Sequence, residues 1–274
     1  MKVFILCGGQ GTRLREHTES RPKPMVEIGG KPIVWHIMKS YAYYGFDDFI
    51  MCLGYKGYLI KDYFLHYETR NSDFTIELGA PNSIELHGCS HDEDGWTITL
   101  VDTGEATQTG GRICRAARHL SPEDDRFMVT YGDGVADVNF DQALAFHRSH
   151  GALATVTGVA PPGRFGALRL EGARVANFSE KPEQDTGMIN GGFFIFEREA
   201  LDYLRPDEDC ILEREPLERL AEDGQLFVYE HRGYWQCMDT YRDWQRLEQR
   251  WESGDAPWAR WRNHRTAAAA LALA

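Results

Sequence analysis

Positive charge is scarce in this chain. Its 30 lysines and arginines stand against 42 acidic residues, a formal net charge of −12, which argues against unspecific attraction to nucleic acid or to anionic membranes. Long apolar runs are missing too. Nothing approaches the ~18 residues that a membrane span needs, the alanine-rich stretch 267–274 included, and residues 1–7 are far too short for a signal peptide. The six cysteines (Cys7, Cys52, Cys89, Cys114, Cys210 and Cys237) include no Cys-x-x-Cys pair. They read as a reduced, intracellular thiol set, several of them in apolar runs where a free thiol behaves as a small hydrophobe. The expected setting is the cytoplasm, without nucleic-acid or membrane partners. No internal repeat or hexapeptide series is present, which excludes a C-terminal β-helix.

What is there suits a turn-rich α/β protein. Hydrophobic residues make up 42% of 274 positions, enough for a sizeable core. Residues 2–7 form a continuous apolar run ending in glycines, as a central parallel strand covered on both faces would. Helical spacing over 33–44, a strand over 48–53 and a helix over 56–65 follow, an order that favours right-handed crossovers and a doubly wound sheet. Strand-like pieces at 75–78 and 96–101 break the rhythm and suggest an inserted antiparallel excursion between 73 and 101. Beyond it come a helix over 111–119, strands over 127–131 and 154–159, and between those two strands a helix over 140–150. A short strand pair at 166–170 and 175–179 precedes a strand over 192–196, a helix around 199–204, a helix over 216–223 and a strand over 226–231. Tyr241, Trp244, Leu247 and Trp251 recur at helical spacing, so 240–252 is a final amphipathic helix. One catalytic domain over 1–253, with an arm and loose tail over 254–274, is the simplest division.

The acidic total hides a basic stretch. Arg13, Arg15, Arg21, Lys23 and Lys31 outnumber Glu16, Glu19 and Glu27, pointing to a loop that handles a small anion. It begins with Gly8-Gly9-Gln10-Gly11-Thr12-Arg13 directly after the first strand. Glycines let the backbone approach phosphates and offer unpaired N–H donors, and Arg13 adds a delocalised positive charge. Leu14 stands where a dinucleotide fingerprint needs its third glycine, and no Gly-Lys-Ser/Thr follows, so neither a dinucleotide site nor a Walker loop fits. Downstream, Pro22 and Pro24 bracket Lys23 and favour extended backbone at the lysine, a rigidity useful to a side chain that must reach a phosphorus atom. The stretch His87-Gly88-Cys89-Ser90-His91 lacks a fourth ligand for zinc and, beside Asp92, Glu93 and Asp94, reads as a solvated turn.

The segment Leu6-Cys7-Gly8-Gly9-Gln10-Gly11-Thr12-Arg13-Leu14, followed by Lys23-Pro24-Met25, resembles the signature of the sugar-nucleotide pyrophosphorylases. Further blocks narrow the resemblance to the glucose-1-phosphate cytidylyltransferases. Among them are Glu27-Ile28-Gly29-Gly30-Lys31-Pro32, Thr109-Gly110-Gly111-Arg112, Thr130-Tyr131-Gly132-Asp133-Gly134, Glu180-Lys181-Pro182, Met188-Ile189-Asn190-Gly191-Gly192 and Met238-Asp239-Thr240. The likeness runs to about residue 258. Cys7 departs from it mildly, standing where many pyrophosphorylases carry alanine, and 87–95 and the alanine-rich tail match nothing in it.

The resemblance implies a Rossmann-like mixed, mostly parallel sheet flanked by helices, and a transfer of cytidylyl from CTP to glucose 1-phosphate that gives CDP-glucose and pyrophosphate. It implies catalytic roles for Arg13 at the departing pyrophosphate, Lys23 at the α-phosphate and Asp133, which would share Mg²⁺ with Asp239. Leu6, Gly8, Gly9, Gln10, Gly11, Thr12, Gly132 and the segment Thr109, Gly110, Gly111 and Arg112 would bind the nucleotide. Gly166, Glu180, Lys181, Asn190, Gly191 and Gly192 would take the sugar phosphate. A homo-oligomer is implied as well, built through the inserted segment and the C-terminal arm. Left open at this level are UTP or dTTP as the nucleotide, another sugar 1-phosphate, and a binding homologue without catalysis.

Overall fold

Along strand β1 (Lys2–Cys7) side chains enter two separate cores by turns. Val3, Ile5 and Cys7 face one, Phe4 and Leu6 the other. Strand β2 (Asp48–Leu53) divides likewise, with Phe49, Met51 and Leu53 on one side and Ile50 and Cys52 on the opposite side. Strands apolar on both faces need a helical layer on each. The computed structural model of the chain describes residues 1–262 apart from 10, 12, 13, 15–17, 80–82, 89–90, 161–166, 172–173 and 180–186, with 167–171 and 174–179 described in backbone only.

The other strands of the main sheet are β3 (Thr97–Asp102), β4 (Arg126–Tyr131), β5 (Ala154–Val159), β6 (Ile189–Glu197) and β7 (Leu226–His231). The seven lie in the order β7-β5-β6-β4-β1-β2-β3. All neighbours are parallel except β6, which is antiparallel to both β4 and β5. Helices α1 (Ile33–Ala42), α2 (Gly57–Leu65), α3 (Thr109–Ala116), α4 (Phe140–His150), α5 (Glu215–Glu222) and α6 (Tyr241–Glu252) divide between the faces. Ile37 of α1, Ile60 of α2, Phe140 of α4 and Leu247 of α6 share a core with Val3 and Ile5. Ile113 of α3 and Leu220 of α5 share the other with Phe4 and Leu6. The result is the expected mixed, mostly parallel sheet between helical layers.

Local chemistry sets the helix ends. Asn139 caps α4 by accepting from the Gln142 amide, and Gly151 closes it in the left-handed conformation. Thr240 and Asp243 form a reciprocal capping box that starts α6. From β1 the chain steps outward to β2 and β3, then crosses back to β4 on the other flank of β1. Connections leaving β1 and β4 therefore diverge, which opens a crevice at the carboxyl ends of these two strands.

Three local expectations need correction. The segment 96–101 is not part of an antiparallel excursion: β3 runs parallel to β2, Thr97 opposite Asp48, as the edge of the main sheet. The antiparallel insertion is a shorter hairpin, Asp73–Ile76 against Ile84–His87. Lys23 is not extended but opens a 3-10 turn, Lys23–Met25, and the extended residue is Pro22. Pro24 fits there because the missing N–H falls in the first turn, where it has no partner to lose. Nor is the stretch from His87 to His91, with the acids beside it, wholly a solvated turn. Glu93 is buried, its carboxylate 2.5 Å from Lys39 Nζ and accepting at 3.1 Å from the Tyr67 hydroxyl, and the His91 ring is buried beside it.

His36, on α1, is wholly buried. The indole N–H of Trp258 points at its Nδ1 across 3.4 Å, and its Nε2 lies 2.8 Å from the Ile28 carbonyl. An indole only donates, so Nδ1 accepts, Nε2 carries the proton and the ring is neutral. Burial pulls its pKa from the ordinary 6.5 to about 4. Because the folded value is depressed, the stability it confers is full above 6.5 and drains away as pH falls towards 4, by roughly 1.4 kcal/mol per pH unit. Urea unfolding at pH 7.0, 6.0 and 5.0 should show wild type losing roughly half that amount of its advantage over His36→Gln in the first step and nearly all of it in the second. A pH-independent difference between the two proteins would refute the assignment.

Candidate active site

The loop after β1 is shaped by an arginine reaching it from α3. Arg112 is buried, and its Nη2 donates to the Gly8 carbonyl at 3.1 Å and the Glu105 carbonyl at 3.1 Å. Its Nη1 donates to the Leu53 carbonyl at 2.9 Å, the Thr103 hydroxyl at 2.8 Å and the Gly104 carbonyl at 2.8 Å. A Cβ on Gly8 would lie 2.0 Å from the guanidinium carbon. Gly8 therefore makes room for Arg112, and the guanidinium pins the loops that leave β1, β2 and β3. Its Nη donors end on protein oxygens, so in this structure Arg112 shapes the loops around the cleft that it also lines. In a trans peptide the carbonyl and the next N–H point in opposite directions. With the Gly8 carbonyl fixed inward, the Gly9 N–H faces away from Arg112, and Gly9 is exposed with nothing within 4 Å of where a Cβ would stand.

Gly11 has φ +62°, and the Thr18 hydroxyl donates to its carbonyl at 3.0 Å. A Cβ at Gly11 would lie 3.2 Å from Cβ of Lys23, so the lysine stands directly beside the glycine turn. Gln10, Thr12 and Arg13 lie outside the described residues, as do Gly166, Glu180 and Lys181.

Lys23 reaches across the crevice. Its ammonium lies 2.6 Å from Oδ2 of Asp133 and 2.7 Å from Oδ1 of Asp239. The two acids, remote in sequence, are joined by a small ladder in which Gly134–Ala136 pairs antiparallel with Trp235–Cys237, Gly134 opposite Cys237. The Met238 amide then donates to the Asp133 carbonyl at 2.8 Å. Residues just outside the last rung, Asp133 and Asp239, come to rest side by side. Burial alone would draw the Lys23 pKa down, but the two carboxylates outweigh it and hold the ammonium above its ordinary value. Cys237 Sγ sits 3.6 Å from Asp239 Oδ2, yet burial, then the Asp239 and Asp133 charges, push this thiol up to about 12. It remains a thiol at neutral pH and is no ligand for a hard cation.

These groups border a cleft of about 740 Å³. Leu6, Gly8, Gly9, Gly11, Lys23, Gly132, Asp133 and Asp239 lie along it with Thr109 and Arg112, and Asn190, Gly191 and Gly192 of β6 form part of its wall. Gly110 and Gly111 do not. They are packed against the 207–212 segment, where a Cβ on Gly111 would meet the Asp207 carbonyl at 2.3 Å. Gly192, at φ +82°, lies under the Tyr131 ring, which a Cβ would meet at 2.4 Å. Sequence reasoning overlooked Gln108, Tyr131 and Trp235, all on the cleft. Tyr131 adjoins the Gly-Asp-Gly turn and could have been found from it. Trp235, whose indole donates to the Gly191 carbonyl at 2.7 Å, carries no local signal.

The Arg112 hub makes a stability claim. Arg112→Lys keeps the charge but replaces a planar five-donor fork by three donors on one atom. Buried acceptors left without partners should cost on the order of 2–3 kcal/mol, read as a Tm lowered by roughly 5–10 °C. A Tm within a degree of wild type would dispose of the hub.

The sequence model of the family described as nucleotidyl transferase matches residues 2–245. The chain is 51% identical over 263 residues to the glucose-1-phosphate cytidylyltransferase of Salmonella typhi, covering 95% of this chain and 100% of that one. The enzyme of the same name from Salmonella typhimurium is also 51% identical, with the same coverage. Among solved structures, HddC from Yersinia pseudotuberculosis superposes with a TM-score of 0.65 at 24% identity, covering 91% of this chain and 99% of that one, a likeness of fold. By family match, by identity over nearly its whole length and by fold, this chain belongs to the nucleotidyl transferase family, alongside its glucose-1-phosphate cytidylyltransferases.

Proposed function

We propose that the chain transfers the cytidylyl group of CTP to α-D-glucose 1-phosphate, releasing pyrophosphate and forming CDP-glucose. The observation that carries this reading is the meeting of Lys23, Asp133 and Asp239 beside the glycine turn. Cytidine and glucose 1-phosphate follow the names of the relatives at 51% identity.

The chemistry asks little of the protein in the way of proton transfer. A phosphate monoester has a second pKa of about 6, so the attacking oxygen is already largely ionised at neutral pH. The need is to align two anions and spread their charge. Gly9 offers its amide to the phosphates, Lys23 its ammonium to the α-phosphate, and Arg13 a second cation for the departing pyrophosphate. On the β6 side Asn190, Gly191 and Gly192 meet the sugar, with Gly166, Glu180 and Lys181 completing that subsite. Thr109, at the start of α3, borders the nucleotide half.

The donor set fits Mg²⁺, which takes carboxylate and phosphate oxygens. Asp133 and Asp239 converge on a cation here, the Lys23 ammonium standing where positive charge is wanted. Those two carboxylates would hold the metal, which supplies charge neutralisation on the triphosphate.

Pyrophosphate release should be seen with purified protein, CTP, glucose 1-phosphate and Mg²⁺. Lys23→Met, Asp133→Asn and Asp239→Asn should each lower kcat on the order of 10²–10³-fold. UTP or dTTP far outrunning CTP would overturn the base assignment. No pyrophosphate from any triphosphate would favour a binding homologue.

We also propose that the chain is a homo-oligomer joined through its inserted hairpin. Phe74 faces Leu86 and Ile76 faces Ile84 across it, which puts all four on one face, each 43–51% exposed. An isolated two-stranded hairpin is marginal in water, and a second copy of the chain would cover this apolar face. Phe74→Glu with Ile84→Lys should shift the mass measured by light scattering to that of a smaller species. An unchanged mass would remove the hairpin from the interface.

A further inference from the structure

One carboxylate lies just outside the cleft and grips both of its walls. Glu213, in the turn before α5, was not singled out by any motif, and it does not border the cleft. Its Oε2 accepts from the Thr109 hydroxyl at 2.6 Å, and its Oε1 accepts from the Tyr131 hydroxyl. Thr109 opens α3, and its oxygen in turn accepts from the Leu212 amide at 2.9 Å. Tyr131 ends β4, and its oxygen accepts from Nδ2 of Asn190 at 3.1 Å. The Asn190 Oδ1 accepts from the Gly192 amide at 2.8 Å.

The direction of every bond in this chain follows from its carboxylate end. An ionised carboxylate only accepts, so both hydroxyls must turn their protons towards Glu213. Tyr131 then has only lone pairs left for Asn190. The Gly192 N–H only donates, so it takes the amide oxygen. Both neighbours therefore present Asn190 in the same orientation, with one N–H on Tyr131 and the second left as the group it can offer to the cleft. Burial, then the Glu213 charge, push the Tyr131 phenol above its ordinary value, which keeps it a donor across the neutral range.

We propose that Glu213 is a positioning residue for the sugar wall: by fixing the Tyr131 hydroxyl it holds Asn190 as a hydrogen-bond donor to a sugar hydroxyl, while its second oxygen ties the same wall to Thr109. This inference rests on the nucleotidyl-transfer reading for the identity of the sugar ligand, but the bond polarity does not. Without the carboxylate, the Tyr131 proton is free to compete for the Asn190 oxygen, and the amide loses its single orientation.

The tests separate positioning from bulk support. Glu213→Ala should raise KM for glucose 1-phosphate roughly tenfold, the equivalent of one hydrogen bond. KM for CTP and kcat should each change less than threefold. Glu213→Gln keeps one acceptor oxygen, so it should restore KM at least in part. Tyr131→Phe should resemble Glu213→Ala, and the double variant should be no worse than either single one, since both cut the same chain. Equal losses in both KM values and in kcat, or effects of the two substitutions that multiply, would overturn the proposal.

A second measurement needs no substrate. In ¹⁵N-labelled protein the Asn190 side-chain signals are identified by their disappearance in Asn190→Asp, and the Nδ2 proton bound to Tyr131 should exchange at least tenfold faster in Glu213→Ala than in wild type. Should wild type neither turn over nor bind glucose 1-phosphate, the proposed function fails. The exchange result then still decides the inference: unaltered exchange in Glu213→Ala refutes it.

Discussion

Three charges meeting at one point organise this molecule. The Lys23 ammonium sits in contact with Asp133 and Asp239 at the mouth of the crevice, with little of it exposed. Taking such groups out of water is costly unless they pair closely, so the elements that carry them are held to a narrow range of positions. One charge comes from a proline-braced turn after β1, one from the end of β4, and one from the approach to α6. The sheet supplies the first two by laying β1 beside β4 in parallel. The third needs its own ladder, Trp235–Cys237 on Gly134–Ala136.

Around this point the protein uses rigid polar connections where side-chain packing alone would leave loops free. Arg112 fixes the connections after β1, β2 and β3 through carbonyl oxygens. On the β4 and β6 side, Glu213, Tyr131 and Asn190 do comparable work through hydroxyls and an amide. Both hubs reach the cleft surface, through Arg112 on one side and Tyr131 and Asn190 on the other. A reaction that depends on aligning two anions, more than on acid or base catalysis, benefits from walls of fixed polarity.

The architecture was largely legible in the sequence, because two-sided apolar strands and capped amphipathic helices have periodic signatures. The error at 96–101 is instructive. The run Thr97-Ile98-Thr99-Leu100 alternates as any strand with one covered face does, and alternation reveals period without revealing direction. Lys23, Asp133 and Asp239 stood out as family motifs, although nothing in their spacing showed that the small ladder would join the two acids. The pinning of the loops by Arg112 went unseen, since its partners are mostly backbone carbonyls, which every residue possesses. Glu213 left no trace for the same kind of reason: a lone glutamate in an acidic turn looks like any other surface acid until the two hydroxyls that donate to it are seen.

The ladder that joins Asp133 to Asp239 also orders events in time. Lys23 and Asp239 are 216 positions apart, so during synthesis the lysine and the first acid leave the ribosome long before their partner. Until 235–239 is laid down, the half-built crevice holds a different balance of charge from the finished one. The cleft thus completes its charge constellation only when the late ladder is in place. The residues that complete this constellation lie at the far end of the chain from the glycine turn that opens it.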